Sequence, residues 1–199
     1  ERARRDTAAD PAAAPAAVEA AIAESASLIG VFSALLDIAR AEAAAGDARG
    51  LTTVDLASVV ADVVDLYEAV AEDRGLALVA TTTPAVVLGE PMLLTRLLAN
   101  LVDNALKFSP AGGRVEITLS VDGGEARLEV RDHGPGMPEG FAAIAFERFT
   151  RAETTAATPG HGLGLGLVRA VALRHGMPLA LENADPGLRV TLRARLAPT

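Results

Sequence analysis

Polar side chains suited to binding a phosphate and a cation recur along one side of an otherwise apolar segment. Arg96, Asn100, Asn104 and Lys107 are spaced by four, four and three residues, which places them on one face of a helix. Asparagine is unfavourable inside a helix and needs a hydrogen-bond partner when it is buried. The stripe predicts a solvated edge, amides that fix a loop, or a ligand face. On a ligand face, an asparagine oxygen would bind Mg²⁺ and Lys107 would bind a phosphate.

A second group of candidate residues follows a predicted strand. Asp132 stands directly after the strand, and Gly134 and Gly136 follow at intervals of two. Glycine lets the backbone approach a ligand closely. The carboxylate could accept a hydrogen bond from the exocyclic amine of adenine, where guanine presents a carbonyl group. The alternative is an ordinary turn capped by Asp132.

A third group is the glycine run Gly160-His161-Gly162-Leu163-Gly164-Leu165-Gly166, which opens a predicted helix. Backbone amides at a helix N-terminus bind phosphate. Such a local site is required here because the net charge of −8 repels a polyphosphate. No Gly-Lys-Ser/Thr follows and no strand immediately precedes the run, so it is neither a P-loop nor a dinucleotide fingerprint. A flexible glycine hinge is the alternative.

The elements that must position these residues alternate between helices and short strands. Helices are predicted from Thr53 or Asp55 to about Arg74, from Pro91 to about Lys107, and from the glycine run to about His175. Strands are predicted over residues 76–80, 86–88, 114–121, 125–131, 179–182 and 188–196. Residues 137–159 read as a loop with a short helical turn. The pattern predicts an α+β fold, a two-layer sandwich with helices on one face of a mixed sheet.

One long helix is predicted ahead of this sandwich, from Pro15 to about Ala45. Two interleaved sets of residues seven apart form the seam of a bundle or coiled coil: Val18, Ser25, Phe32 and Ala39, with Ile22, Ile29 and Leu36. A core helix of a globular domain is the alternative. The polar linker from Gly46 to Gly50 predicts a boundary between a helical segment, residues 1–50, and a domain, residues 51–199.

The composition excludes several classes of function. The absence of cysteine excludes disulfides, thiolate metal sites and thiol nucleophiles. The acidic balance gives no electrostatic footprint for nucleic acid or an anionic membrane. No apolar run reaches the roughly 20 residues that span a bilayer. We therefore expect no nucleic-acid partner and no membrane contact by these residues.

The three groups, in this order, resemble the N, G1 and G2 boxes of the GHKL (Bergerat-fold) ATP-binding superfamily. Within it they resemble the bacterial sensor histidine kinases. The stretch Asn100-Leu-Val-Asp-Asn-Ala-Leu-Lys-Phe-Ser-Pro110 is similar to their N box almost residue for residue. Phe146-Glu-Arg-Phe-Thr-Arg151 resembles their F box, between G1 and G2. The resemblance covers about residues 54–196.

The resemblance implies a site for ATP and Mg²⁺. Asn104 would bind the metal, Asp132 would recognise adenine, and Arg148 or Arg151 would reach the terminal phosphate. Residues 137–159 would form a lid anchored by Phe146 and Phe149. The residues implied to bind the nucleotide or its metal are Asn100, Asn104, Lys107, Phe108, Asp132, Gly134, Gly136, Arg148, Arg151, Gly160, His161, Gly162, Leu163 and Gly164.

Asn100 favours one branch of the superfamily. The chaperone and mismatch-repair ATPases carry a glutamate at this position as the base for water, and an amide cannot abstract a proton. The resemblance therefore implies transfer of the γ-phosphoryl group to a histidine and onward to an aspartate of a response regulator. Two alternatives stay open: a non-catalytic nucleotide-binding module, and a serine kinase of the anti-sigma type, which lacks a helix like that of residues 15–45.

None of the three histidines suits a phosphoacceptor, because His133, His161 and His175 lie in predicted loops or at a helix end. Residues 15–45 resemble the second helix of a kinase dimerisation hairpin, and residues 1–9 the end of the first. We expect the sequence to begin inside that first helix, past the acceptor, so that this piece binds ATP but cannot phosphorylate itself. The resemblance also implies a homodimer through residues 15–45 and a cytoplasmic position within a membrane-anchored sensor.

Overall fold

The computed structural model describes residues 13–151 and 160–198. The interpretations of residues 1–9 and 152–159 lie outside the described residues. The elements in chain order are α1 (Ala13–Ala43), β1 (Thr52–Asp55), α2 (Leu56–Asp73), β2 (Ala77–Thr82), β3 (Val86–Gly89), α3 (Pro91–Phe108), β4 (Arg114–Asp122), β5 (Glu125–Arg131), a 3₁₀ turn (Phe141–Ala143), α4 (Gly164–Arg174), β6 (Leu179–Asn183) and β7 (Leu188–Arg195).

The main sheet has the strand order β2-β4-β5-β7-β6, in which β2 and β4 run parallel and the other pairs run antiparallel. Alternate side chains of its central strands, such as Ile117 and Val130, are buried, whereas their neighbours Glu116 and Arg131 lie on the opposite face. Apolar side chains of α2, α3 and α4 join the buried face in one core. This arrangement confirms the predicted α+β sandwich.

Most predicted elements are present, with shifted ends. Strand β1 was not predicted, because four residues paired only with β3 carry too short a pattern. Thr53 lies inside that strand, and it is Asp55 that caps α2, by accepting a hydrogen bond from the Ala57 amide at 3.0 Å. Helix α4 begins at Gly164, not at Gly160, because Gly162 has a φ of +69°, which is incompatible with a right-handed helix.

Helix α1 packs against the domain instead of standing apart from it. Ile38 and Ala41 are each only 1% exposed, and the helix contacts α4. The seam predicted from residues seven apart lies on the other side, where Ile29 and Phe32 are exposed. Among the described helices, none combines the length and hydropathy needed to cross a membrane. The boundary between residues 50 and 51 stays a prediction.

Candidate functional site

A cavity of about 820 Å³ lies where α1, the polar face of α3, the end of β5 and the glycine run meet. Most of the predicted site residues line it, and those that do are Asn100, Asn104, Lys107, Phe108, Asp132, Gly136, Arg151, Gly160, His161, Gly162, Leu163 and Gly164. Gly134 and Arg148 do not. The three groups, separated by up to 64 residues in sequence, thus share one cavity.

The amide of Asn100 has a defined orientation. Its Nδ2 donates to the Arg96 carbonyl oxygen at 2.8 Å. Because a carbonyl oxygen only accepts hydrogen bonds, the nitrogen must face it and Oδ1 must point the other way. A Cβ atom placed on Gly164 would lie 3.0 Å from Asn100 Oδ1 and 3.4 Å from Asn104 Nδ2. The first turn of α4 therefore sits directly over both asparagines.

Lys107 is paired within its own helix. Its Nζ lies 2.5 Å from Asp103 Oδ2, one turn earlier, and both residues line the cavity. The ion pair holds the ammonium group beside the cavity. A phosphate that bound there would have to share the ammonium with Asp103 or replace it.

Asp132 is positioned by the register of the sheet. Strand β5 ends beside the start of β7, where Arg131 pairs with Arg189. The Asp132 Oδ1 atom accepts hydrogen bonds from the Gly134 amide at 2.8 Å and from the Leu188 amide at 3.1 Å. Both amides use the same oxygen, so Oδ2 can accept a hydrogen bond from a ligand. Burial raises the pKa of this carboxyl above its ordinary value, and the two amides oppose that rise only in part.

Gly134 brings the loop after β5 against the end of α3. A Cβ atom at this position would collide with the Phe108 carbonyl oxygen and lie 3.1 Å from Asp132 Oδ1. Gly134 therefore shapes the site without lining it. Sequence reasoning missed the residue that holds the next part of this loop: the Asn183 side chain accepts from the Met137 amide at 2.8 Å and donates to its carbonyl oxygen at 2.9 Å. A single asparagine at a strand end gives no signal for this role.

The chain segments on the two sides of residues 152–159 are joined by hydrogen bonds to backbone carbonyl groups. The Phe149 amide donates to the Gly162 carbonyl oxygen at 2.9 Å, and Arg151 Nη1 donates to the Gly160 carbonyl oxygen at 3.0 Å. A Cβ atom on Gly162 would lie 2.8 Å from the Thr150 carbonyl oxygen. This position therefore needs glycine both for its positive φ and for close packing.

One predicted detail of this region needs correction, and the two predicted arginines differ in position. The Phe149 side chain is 60% exposed, so the ring does not anchor the loop, and its backbone amide does so instead. Arg148 forms an ion pair with Glu42 of α1 and does not line the cavity, whereas Arg151 does. Leu163 lines the cavity, but its side chain is only 5% exposed and belongs to the core, so its backbone is the part available to a ligand.

Helix α1 forms a wall of the cavity, which its sequence pattern did not indicate. Gly30, Val31 and Ala34 line the cavity. Ser27 Oγ lies 3.2 Å from His161 Nε2, and the buried Asp37 forms an ion pair with Arg96 of α3. Small residues at 30 and 34 leave room between the helix and the domain. The small side chains at these two positions are the sequence feature that fits this role. They indicate it only when the position of α1 against the domain is known.

The histidines outside the glycine run have structural partners. His175 Nε2 accepts from the Glu90 amide at 2.9 Å, so Nδ1 must donate to the Val171 carbonyl oxygen, 2.8 Å away, in a neutral ring. Burial lowers the pKa of this imidazole below its ordinary value. His133 Nδ1 lies 3.1 Å from the Arg114 carbonyl oxygen. Neither ring lines the cavity.

The model of a family described as histidine kinase-, DNA gyrase B- and HSP90-like ATPases matches residues 89–198. The matched stretch contains α3, the loop after β5 and the glycine run, and so all of the cavity except the wall formed by α1. The chain belongs to this ATPase family. Within the family it is an ATP-binding catalytic domain of the sensor histidine kinase type, because a solved mycobacterial sensor histidine kinase is 35% identical and is covered over 99% of its length.

The signal transduction histidine-protein kinase/phosphatase MprB of Mycobacterium avium is 40% identical over 153 residues, in a match that covers 71% of this chain and 29% of that protein. The chain thus spans less than a third of this curated relative. A solved structure of a mycobacterial sensor histidine kinase MprB is 35% identical, with a TM-score of 0.65, over 75% of this chain and 99% of that one. Full-length ShkA, solved with AMPPNP, is 29% identical with a TM-score of 0.73, over 86% of this chain and 37% of that one.

Proposed function

We propose that this domain binds ATP with Mg²⁺ in the cavity. In the intact kinase it would transfer the terminal phosphoryl group to a histidine of a dimerisation helix, from which the group passes to an aspartate of a response regulator. The observation that carries the proposal is the convergence of Asn104, Asp132 and Gly164 on one cavity. The solved ShkA complex supports it, because a chain of similar fold is described there with an ATP analogue.

Adenine recognition is assigned to Asp132. Its Oδ2 would accept a hydrogen bond from the exocyclic amine, while Oδ1 stays bound to the Gly134 and Leu188 amides. A guanine carbonyl oxygen in the same place would face a carboxylate, which repels it. Gly134 and Gly136 would shape the pocket around the base, and Phe108 would contact the ribose.

The polyphosphate is assigned to the start of α4. The glycine run, residues 160–164, presents backbone amides where the helix dipole favours negative charge. His161, Lys107 and either Arg148 or Arg151 would add positive or polar groups. These local groups are needed because the chain as a whole carries a net charge of −8, which repels a polyphosphate.

The residues of the cavity fit a magnesium ion that is shared with the nucleotide. Among the described residues, no group of three or more histidine and carboxylate side chains could hold a metal. Mg²⁺ commonly keeps several waters and takes few protein ligands when phosphates complete its shell. Asn104 would supply the protein oxygen, with Asn100 nearby. When bound, the ion would neutralise charge on the phosphates.

The residue at position 100 favours transfer over hydrolysis. An amide whose nitrogen donates to the Arg96 carbonyl oxygen cannot act as a base for water. Phosphoryl transfer depends mainly on positioning and charge neutralisation, which the α3 stripe and the α4 amides would provide. The acceptor histidine, the response regulator, the homodimer through residues 15–45 and a cytoplasmic position in a membrane-anchored sensor are parts of the same proposal.

The proposal is tested by titrating the chain with a non-hydrolysable ATP analogue in Mg²⁺. We expect saturable binding in the micromolar range, about −7 to −8 kcal/mol. Asn104→Ala and Asp132→Ala should each weaken it by about 100-fold or more, equivalent to about 2.7 kcal/mol. Asp122→Ala serves as the matched control, since Asp122 is exposed at the opposite end of the β4–β5 hairpin.

Wild-type chain that shows no saturable binding would contradict the proposal. So would equal losses in the Asp132 and Asp122 variants. Mixing the ATP-loaded chain with a separate dimerisation hairpin that bears the acceptor histidine then tests transfer, and labelled phosphate should appear on the hairpin.

A further inference from the structure

Helix α1 makes an ion pair with Arg148, which lies beside the proposed nucleotide site without lining the cavity. Glu42 Oε2 contacts Arg148 Nη2, and both side chains are about half exposed. The pair joins residues 106 positions apart in sequence, so it exists only because α1 is docked on the domain. Glu42 follows the buried Ile38 and Ala41, which fix this end of the helix.

Arg148 starts beside the proposed phosphate site. A Cβ atom added to Gly166, in the first turn of α4, would lie 3.7 Å from Arg148 Cγ. Gly164, two residues earlier, lines the cavity. The aliphatic part of Arg148 is therefore close to the first turn of α4, whose amides would bind phosphates, while its guanidinium group contacts Glu42.

We propose that Glu42 sets the affinity of the site for the nucleoside triphosphate, because its carboxylate competes with the terminal phosphate for Arg148. This inference rests on the proposed function. A guanidinium group binds carboxylate and phosphate through the same fork of donors. It cannot serve both anions fully at once, so ATP binding must weaken or replace the Glu42 contact. Binding and the Glu42–Arg148 pair then oppose each other, and removal of the carboxylate should favour ATP.

The pair is partly exposed, which limits the effect. Ion pairs of this kind are screened by solvent, so an increase in ATP affinity of about two- to five-fold is expected for Glu42→Gln. ADP lacks the terminal phosphate and should gain less than about 1.5-fold by the same argument. The ratio of the ADP and ATP dissociation constants should therefore rise. Glutamine keeps the size of the side chain and removes only its charge.

The experiment measures the dissociation constants of ADP and of a non-hydrolysable ATP analogue, both with Mg²⁺, for wild type and Glu42→Gln. Glu24→Gln is the matched control, because it removes one negative charge from an exposed position of the same helix, about 27 Å away along its axis. It should leave both constants unchanged. Arg148→Ala should weaken the ATP analogue, and Glu42→Gln should then have no further effect in the double variant.

Three results would overturn the inference: equal gains for ADP and the ATP analogue, a gain in Glu24→Gln as large as that in Glu42→Gln, or a Glu42→Gln gain that persists without Arg148. If wild-type chain binds neither nucleotide, the proposed function itself fails. If it binds both and Glu42→Gln changes nothing, only the role of Glu42 fails.

Discussion

Asp132 combines a structural role with a proposed ligand role in a single carboxyl group. One oxygen joins the loop after β5 to the start of β7 through two backbone amides. Under the proposed function, the other oxygen would accept a hydrogen bond from the base of a nucleotide. The side chain is only 6% exposed, so its charged form is poorly hydrated. Keeping Asp132 in its charged, hydrogen-bond-accepting form therefore costs free energy.

We expect the Asp132 carboxyl to titrate above the ordinary aspartate value of 3.8, because burial raises its pKa. Carbon-13 NMR of the labelled carboxyl should follow this titration, and nucleotide binding should lower the midpoint, since an amine donor favours the carboxylate. As the pH is lowered, the folded chain binds this proton at a higher pH than the unfolded chain does. The contribution of Asp132 to the free energy of unfolding should therefore fall as pH rises from 3.8 through the folded pKa. A midpoint at or below 3.8 would contradict this.

Helix α4 has a function at each end. Its first turn lies over the two asparagines of α3, and its last residue, Arg174, is buried with 4% exposure. Arg174 Nε donates to Glu90 Oε1 at 2.8 Å, and Nη2 donates to the Arg49 carbonyl oxygen at 2.9 Å, with Asp47 as a third partner. The helix thereby connects the proposed phosphate site to the linker after α1.

We expect Arg174→Ala to lower the free energy of unfolding by roughly 3 kcal/mol, because it removes a buried guanidinium group and leaves two partly buried carbonyl groups and Glu90 without their partner. Arg169→Ala, at an exposed position of the same helix, should change it by less than about 0.5 kcal/mol. Urea unfolding followed by circular dichroism measures both. Similar losses in the two variants would show that the buried network contributes little to stability.

At the scale of the whole molecule, helix α1 has two distinct faces. One face of α1 packs on the domain and lines the cavity, as Ile38 and Ala34 illustrate. The other is exposed and apolar along most of its length, including Ile22, Ile29 and Phe32 at 64%, 66% and 67% exposure. A contiguous apolar stripe on a solvent-exposed surface is typical of an interaction site. A second α1 would cover it by the packing that the heptad pattern predicts.

We expect the chain to self-associate through this face. Sedimentation should show a dimer at micromolar to millimolar concentrations, and Ile29→Asp or Phe32→Asp should yield a monomer because a buried unpaired charge is costly. Leu66→Asp is the control, since Leu66 is equally exposed, at 63%, but lies on α2. A wild-type monomer whose α1 is well protected from hydrogen exchange would contradict the prediction.

The sequence alone was sufficient for features that local spacing defines. The polar stripe of α3 follows from the helical repeat, the β4–β5 hairpin from alternation and the Asp122-Gly-Gly turn, and the loop before α4 from its glycines. Each depends on residues within a few positions of one another. The order of the polar stripe, the Asp132 group and the glycine run then indicated the family, and the pattern of helices and strands predicted the α+β sandwich.

Only the tertiary structure decided which residues meet across long separations. It brought Leu188 to Asp132 through strand register, Gly30 and Ala34 to the cavity through the docking of α1, and Glu42 to Arg148. It also separated Arg148 from Arg151, two cations that the sequence left equivalent. The physical reason is that spacing fixes the face on which a side chain lies, whereas packing between distant elements fixes what that face touches.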